Sequence, residues 1–329
     1  MSTYKELIGK YVRSVSSDPS AGYAEGEIWY NTSSNTFKTA VNVFAWSSGG
    51  AYPVAIQSGA GFGTQTAAVG AGGTPPGNVG LKTFEYNGSS WTAGNNMSRS
   101  PTGSPYLSAY IAGSGTLTAG WAAGGGYPTQ NNLTENYDGT TWTASATMPA
   151  NRRGGNCTGP QTAGLYFAGN APGVQAGTYE YDGEGWTAGG DLNTARTNAG
   201  GSGPTGSQTA ALSFAGNIPG FTNKTEEYNG SSWTEVNAFP DSRSYVGYSG
   251  SQTDAIGFSG YNGPVLTSTK SYDGTNWSAA PSLATGRLLY HTNAGTATAA
   301  VVFGGEGTTV LTSTEEFSGT STIQTVTTS

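Results

Sequence analysis

The sequence predicts an all-β fold assembled from repeated four-stranded units, and three observations lead there. Gly supplies 53 of 329 residues and charged residues only 10%. Gly, Ser and Thr are poor helix formers, and the strong formers Glu, Lys and Leu are scarce. Aromatic residues reach 12%, with 8 Trp and 19 Tyr, a content that disordered chains do not usually carry. One motif, Tyr-Asn/Asp-Gly-x-x-Trp-Thr/Ser, returns five times, the mark of a structural repeat. The glycines follow no three-residue period, which excludes collagen. No run of about 18 apolar residues exists, so no membrane-spanning helix is expected.

Residues 1–43 lie outside the repeat and form an N-terminal arm. Residues 1–24 are weakly patterned, and IWYN-TSSN-TFKT (28–39) reads as a hairpin with a four-residue loop. In this arm Lys5, Lys10, Arg13 and Lys38 balance Glu6, Asp18, Glu25 and Glu27, so the net charge of −7 belongs to the rest of the chain. With only 13 Lys and Arg, a nucleic-acid partner is not expected. Met1 to Arg13 lacks an apolar stretch and does not read as a secretory signal. The single Cys157 excludes a disulfide within the chain and any cysteine-cluster metal site.

The repeat itself has a fixed order of parts. A Thr, an apolar run and a small-Gly pair come first: TAAVGAGG (66–73), TAGWAAGG (118–125), TAGLYFAGN (162–170), TAALSFAGN (209–217), TDAIGFSGY (253–261) and TAAVVFGGE (298–306). We assign these to strand b, and the glycines before them, as in GSQT (250–253), to the a–b turn. Loops rich in Pro, Gly and Asn follow, such as TPPGNVGL (74–81), NAPGVQAG (170–177) and NIPGFTNK (217–224). Then come YNGSSWT (86–92), YDGTTWT (137–143), YDGEGWT (181–187), YNGSSWT (228–234) and YDGTNWS (272–278). NG and DG between short β runs signal a hairpin whose two turn residues both take positive φ, joining strands c and d. The Trp residues are 91, 142, 186, 233 and 277; Arg152, Arg196, Arg243 and Arg287 each follow a Trp by ten residues, and Arg99 follows Trp91 by eight. Four short strands every 45 residues or so describe a β-propeller blade.

Six b-strand motifs face only five motif tryptophans. The last unit ends EEFSGTSTIQ (315–324) without one, and Trp46, in FAWSSGG (44–50), precedes Trp91 by one period. The economical reading is that the N-terminal segment supplies strand d of the last blade. That gives six blades over residues 44–323 and a tail over 324–329; the competing reading has seven, with residues 27–46 forming most of an extra blade.

A Gly pair, a Tyr, a Trp and Met148-Pro-x-x-Arg152 together resemble the kelch repeat over residues 46 to about 317. Three of the six Gly pairs are Ala-Gly or Ser-Gly, and the Tyr-to-Trp interval is only five. The units reading EEYNGSSWT, the Thr-rich C-terminus and EGEIWYNTSSNTFK (25–38) also resemble virion structural proteins of marine tailed bacteriophages. That resemblance implies a virion location, made in the host cytoplasm, with multiple copies on a symmetric particle and the arm bound to other virion proteins.

A tryptophan placed once per blade at one strand position is core between blades rather than a sugar platform. That applies to Trp46, Trp91, Trp142, Trp186, Trp233 and Trp277, and to Tyr86, Tyr137, Tyr181, Tyr228 and Tyr272. The repeated arginines are expected to pack on a Trp or cap loop backbone. No catalytic constellation is visible. The only His is His291, read here as part of a strand a, so no triad forms, and no metal or cofactor is expected. Glu226-Glu227 and Glu315-Glu316 lie on strand c, with side chains sent to opposite faces and the outward one serving solubility. The variable b–c and d–a loops form the better binding face. There Tyr127, Phe221 and Tyr261 with Asn131, Asn132, Asn223 and Asn262 suit a neutral glycan. The expected function is a non-enzymatic virion protein of tail, neck or fibre that presents a host-recognition face. The alternatives are a sialidase-like carbohydrate-active propeller and a decoration scaffold with no ligand.

Overall fold

The computed structural model describes residues 12–19, 26–74, 80–99 and 106–326. Among them there is no helix, and so none long and apolar enough to cross a membrane. The chain divides into two units: Met1–Ala45 with Gly319–Ser329, and Trp46–Ser318.

In the first unit, β1 (Arg13–Val15) runs parallel to β2 (Ile28–Asn31), which forms a hairpin with β3 (Thr36–Gly49). Asp18 organises this segment. Its carboxylate accepts Trp29 Nε1 at 3.0 Å and Asn31 Nδ2 at 2.7 Å, and these bonds, that from Asn31 first, hold its pKa below the usual carboxylate range. Trp29 is buried while its strand neighbour Ile28, sent to the opposite face, is exposed. The expected weakly patterned start, with Lys5, Glu6 and Lys10, lies outside the described residues, as does most of residues 1–24.

The second unit is a six-bladed β-propeller. Blade 1 contains β4 (Ala60–Thr64), β5 (Ala67–Ala71), β6 (Thr83–Tyr86) and β7 (Trp91–Ala93). Blade 2 contains β8 (Ala112–Thr116), β9 (Ala119–Ala123), β10 (Thr134–Tyr137) and β11 (Trp142–Ser145). Blade 3 is built of β12 (Asn156–Thr158), β13 (Gly164–Phe167), β14 (Thr178–Tyr181) and β15 (Trp186–Ala188). Blade 4 uses β16 (Gly200–Gly201), β17 (Ala211–Phe214), β20 (Thr225–Tyr228) and β21 (Trp233–Val236). Its b–c loop carries a small ribbon, β18 (Asn217–Ile218) and β19 (Gly220–Phe221). Blade 5 has β22 (Gly247–Gly250), β23 (Ala255–Phe258), β24 (Thr269–Tyr272) and β25 (Trp277–Ala280). Blade 6 takes β26 (Asn293–Gly295), β27 (Ala299–Phe303), the first part of β28 (Thr314–Thr325) and, as its outer strand, residues 46–49 of β3. The N-terminal segment therefore closes the ring, six blades are present, and residues 27–46 do not build a seventh.

Blades adhere through apolar clusters that each straddle a junction. Tyr52, Ile56, Phe84 and Trp91 of the first blade pack with Val301 and Phe303 of the sixth. Phe62, Val69 and Met97 pack with Ile111, Tyr137 and Trp142 of the second. Close approach explains particular glycines: a Cβ on Gly120 would lie 2.1 Å from the Phe62 ring of the preceding blade.

The c–d turn differs from the expected two-residue type. Between β6 and β7 four residues intervene, Asn87 to Ser90, with Tyr86 opposite Trp91. Only Gly88 takes positive φ, at 89°. Asn87 instead accepts the backbone N–H groups of Ser89 and Ser90 through Oδ1, at 3.0 and 2.9 Å. Asp138, Asp182, Asn229 and Asp273 do the same in their blades. A short side chain that mimics a turn needs Asn or Asp for its acceptor, not for its backbone freedom.

Candidate functional site

The propeller has a uniform face and a variable one. The a–b and c–d turns lie on the first, where polar groups are consumed in joining blades. The indoles of Trp46, Trp91, Trp142, Trp186 and Trp233 each donate to a Thr that begins strand c of the preceding blade: Thr269, Thr314, Thr83, Thr134 and Thr178. Tyr86, Tyr137, Tyr228 and Tyr272 donate to Glu316, Glu85, Glu180 and Glu227 of the preceding blade. Burial and the adjoining carboxylate push the Tyr86 and Tyr228 hydroxyls up to about 12. Glu227 and Glu316, read from sequence as serving solubility, are thus joints between blades. Gln65, Gln161, Gln208 and Gln252 in the a–b turns also donate to backbone carbonyls of the neighbouring blade.

The repeated arginines are buried and tie down loops. Arg99, Arg196 and Arg287 pair with Glu135, Glu226 and Glu315 on strand c. Their Nη1 groups donate to carbonyls at the ends of the b–c loop, as from Arg287 to Gly304 and Ser313 at 2.9 and 3.0 Å. Where the second residue of strand c is not Glu, the pairing changes. Arg152 donates to Tyr179 Oη at 3.2 Å, and Arg243, facing a strand with Lys270, takes Asp241 two residues away. His291 precedes β26 rather than lying in a strand. It is buried, with Nδ1 2.9 Å from Tyr248 Oη, and burial lowers its pKa to about 4. Cys157 is buried too, and burial raises its thiol pKa. Among the described residues no cluster of three or more His, Cys, Asp or Glu is arranged to hold a metal ion.

The variable face carries an open site at the ring axis. A belt of backbone hydrogen bonds passes from blade to blade there. Tyr110 N–H donates to Ser58, Gly154 to Tyr110, Asn198 to Gly154, Tyr245 to Asn198 and Leu289 to Tyr245, at 2.7 to 2.9 Å. Ser58, Tyr110, Asn198 and Tyr245 hold positive φ of 51 to 62°, a conformation that costs a non-glycine residue about 1 kcal/mol or more. The belt supports a cavity of about 150 Å³ lined by Tyr110, Arg153, Asn170, Thr197, Asn198 and Tyr245. Tyr290 packs against both tyrosines, with ring centroids 5.1 Å from Tyr110 and 4.8 Å from Tyr245. Arg153 lies 5.5 Å over the Tyr110 ring and 5.3 Å over that of Tyr127, and its Nη1 donates to Pro128 O at 3.2 Å. No ion pair among the described residues includes Arg153. Burial raises the Tyr110 hydroxyl and Arg153 lowers it in part.

The residues singled out from sequence for binding fall in separate places. Tyr127 is exposed beside the axial cavity. Phe221 and Tyr261 meet edge-on with centroids 5.8 Å apart, and Asn262 is exposed in the same loop as Tyr261. Asn131 spends its amide on Leu107 O and Leu133 N–H, Asn132 donates to Met148 O, and Asn223 accepts Phe239 N–H through its backbone. Of the loop 74–81, residues 75–79 lie outside the described residues. The axial residues were missed because they sit where each blade carries a different side chain. The signal was positional: the second residue after Arg152, Arg196 and Arg243 varies, as Gly154, Asn198 and Tyr245, beside fixed repeat residues.

No protein-family model matches the chain, and no curated protein matches it.

Proposed function

We propose that the protein is a non-enzymatic recognition propeller of a virion, of kelch type. In this reading its variable loop face binds a glycan of the host surface, and the N-terminal unit attaches it to other virion proteins in multiple copies. The observation that carries the binding half is the axial cavity, where aromatic rings and side-chain donors converge beside backbone held in costly conformations. Backbone strain at Ser58, Tyr110, Asn198 and Tyr245, beside an open cavity, suits a site kept for contact. The motif order Gly-Gly, Tyr, Trp, Met-Pro-x-x-Arg and the units resembling phage virion proteins support the setting. Two measurements test the reading. Electron microscopy of intact particles should locate the propeller on tail, neck or fibre with the loop face outward. Purified protein should bind host-surface polysaccharide without releasing reducing sugar, and Tyr245→Ala should weaken that binding. Release of reducing sugar would favour the sialidase-like alternative, and absence of any saccharide binding the scaffold reading.

A further inference from the structure

Resting on the glycan-binding reading, we infer that the axial cavity selects a carboxylate-bearing sugar residue, with Arg153 as the residue that reads the carboxylate. Each of the repeat arginines, Arg99, Arg152, Arg196, Arg243 and Arg287, is committed to a carboxylate or to Tyr179. Arg153 uses one N–H group on Pro128 and faces the cavity between two tyrosine rings, which hold the guanidinium plane without neutralising it. Asn170 accepts Gln130 Nε2 through Oδ1 at 3.3 Å, which leaves its Nδ2 as a donor. Thr197 Oγ1 is spent as a donor on Gly154 O at 3.0 Å. Arg153 and Asn170 Nδ2 are thus the donors left open to the cavity, Thr197 Oγ1 keeps only acceptor capacity, and Glu306 is near enough to act on the Tyr110 and Tyr245 hydroxyls; an acceptor-rich planar anion answers the paired donors that Arg153 presents in carboxylate geometry.

Size and setting agree. About 150 Å³ is below the ~300–1,000 Å³ of pockets that enclose a whole small molecule. It admits one charged edge of a sugar while the remainder of the chain lies across the exposed Tyr127 of the loop face. The protein as a whole carries −7, so long-range attraction contributes nothing to anion binding and the preference is local to Arg153.

The test is calorimetric titration of the full chain with trigalacturonate and its methyl ester, and with 3′-sialyllactose and lactose. At least one acid should bind about tenfold or more tightly than its neutral counterpart, the scale of one charge-assisted hydrogen bond. Which acid does so separates a uronate from a sialate source. Arg153→Gln should abolish that preference, bringing affinity for the acid down to that for its neutral counterpart, and Arg153→Lys should restore only part of it. Neutral sugars binding as well as acids, or Arg153→Gln keeping the preference, overturns this inference and leaves the glycan reading standing. Failure of all four saccharides overturns both.

Discussion

The indole Nε1 of Trp46 donates to Thr269 Oγ1 across 3.1 Å, joining residues 223 positions apart. It is the same bond that Trp142 makes to Thr83 and Trp233 to Thr178 within the continuous part of the ring. Residues 46–49 therefore behave as strand d of blade 6 in full, down to the side-chain chemistry, and Gln65 and Trp91 complete the closure by donating to Phe317 O and Thr314 Oγ1. A chain beginning at Trp46 should keep a closed ring, whereas one beginning at Ala51 exposes the edge of β28 and should associate. Size-exclusion chromatography of the two truncations checks this; a monomeric, equally stable Ala51 chain would contradict it.

One junction lacks the bond. Trp277 Nε1 and Thr225 Oγ1, the pair expected between blades 5 and 4, are buried and unpartnered. Trp233→Phe removes a buried hydrogen bond and should cost about 1 kcal/mol more than Trp277→Phe, while Trp233→Ala should cost roughly 3–5 kcal/mol. Denaturant melts of the three variants provide the comparison. Equal losses from the two Phe substitutions would mean that the indole bond adds nothing.

Arg196 and Glu226 are both fully buried and pair through Arg196 Nη2 and Glu226 Oε1 at 2.5 Å. Glu226 also accepts the backbone N–H groups of Asn193 and Thr194. Glu226→Ala strands a buried cation and two amides, and should cost about 3–5 kcal/mol. Arg287 with Glu315 should respond alike. By contrast the exposed Lys224–Glu235 pair should be worth less than about 1 kcal/mol. A Glu226→Ala melting temperature close to wild type would count against the pairing as a loop anchor.

The parts of this architecture visible in the sequence are those that recur with the same chemistry. The Trp, the Gly pairs and the Arg repeat because every junction asks for the same shape, so period and closure could be counted from residues 46, 91, 142, 186, 233 and 277. What was hidden is relational. Glu226 and Glu227 look alike on one strand, yet one meets Arg196 of the adjoining loop and the other Tyr272 of the next blade. Their partners lie 30 and 45 residues away, and sequence spacing alone does not say which faces which. The axial site was hidden for the opposite reason: Tyr110, Gly154, Asn198 and Tyr245 share a position but no chemistry, so a search for repetition passes over them.

His291, the single histidine, gives a pH prediction with a definite sign. Burial depresses its folded-state pKa from 6.5 to about 4. Between those values the unfolded chain binds the proton and the folded one does not, so stability is complete above pH 6.5 and falls as pH drops toward 4. The loss attributable to this group should reach roughly 3 kcal/mol at most. Between pH 6.5 and 5 ordinary carboxylates contribute little, so His291→Asn should flatten the stability profile there. A wild-type profile that is already flat over that interval would sink the assignment.

The loop face yields the last prediction, which separates contact residues from supporting ones. Tyr110 and Tyr245 line the axial cavity and are only partly covered. Asn131 and Asn132 have their amides bonded to Leu107 O and Met148 O at 2.8 and 3.0 Å. Removing an aromatic face takes away stacking area for a sugar, while removing a bonded amide leaves a loop carbonyl unsatisfied, which costs about 1–3 kcal/mol. Tyr245→Ala should therefore lower saccharide affinity about tenfold or more, with a melting-temperature loss limited to its ring contact with Tyr290. Asn131→Ala and Asn132→Ala should lower the melting temperature first, with affinity changing only as the loop loosens. Phe221→Ala distinguishes a wider footprint: Phe221 and Tyr261 touch each other but do not line the cavity, so its loss should weaken a polysaccharide and spare a trisaccharide. Calorimetry and thermal melts on the same four variants decide between the roles, and unchanged affinity in Tyr245→Ala with loss in Asn131→Ala would move the binding site outward from the axis to the blade 2 loop.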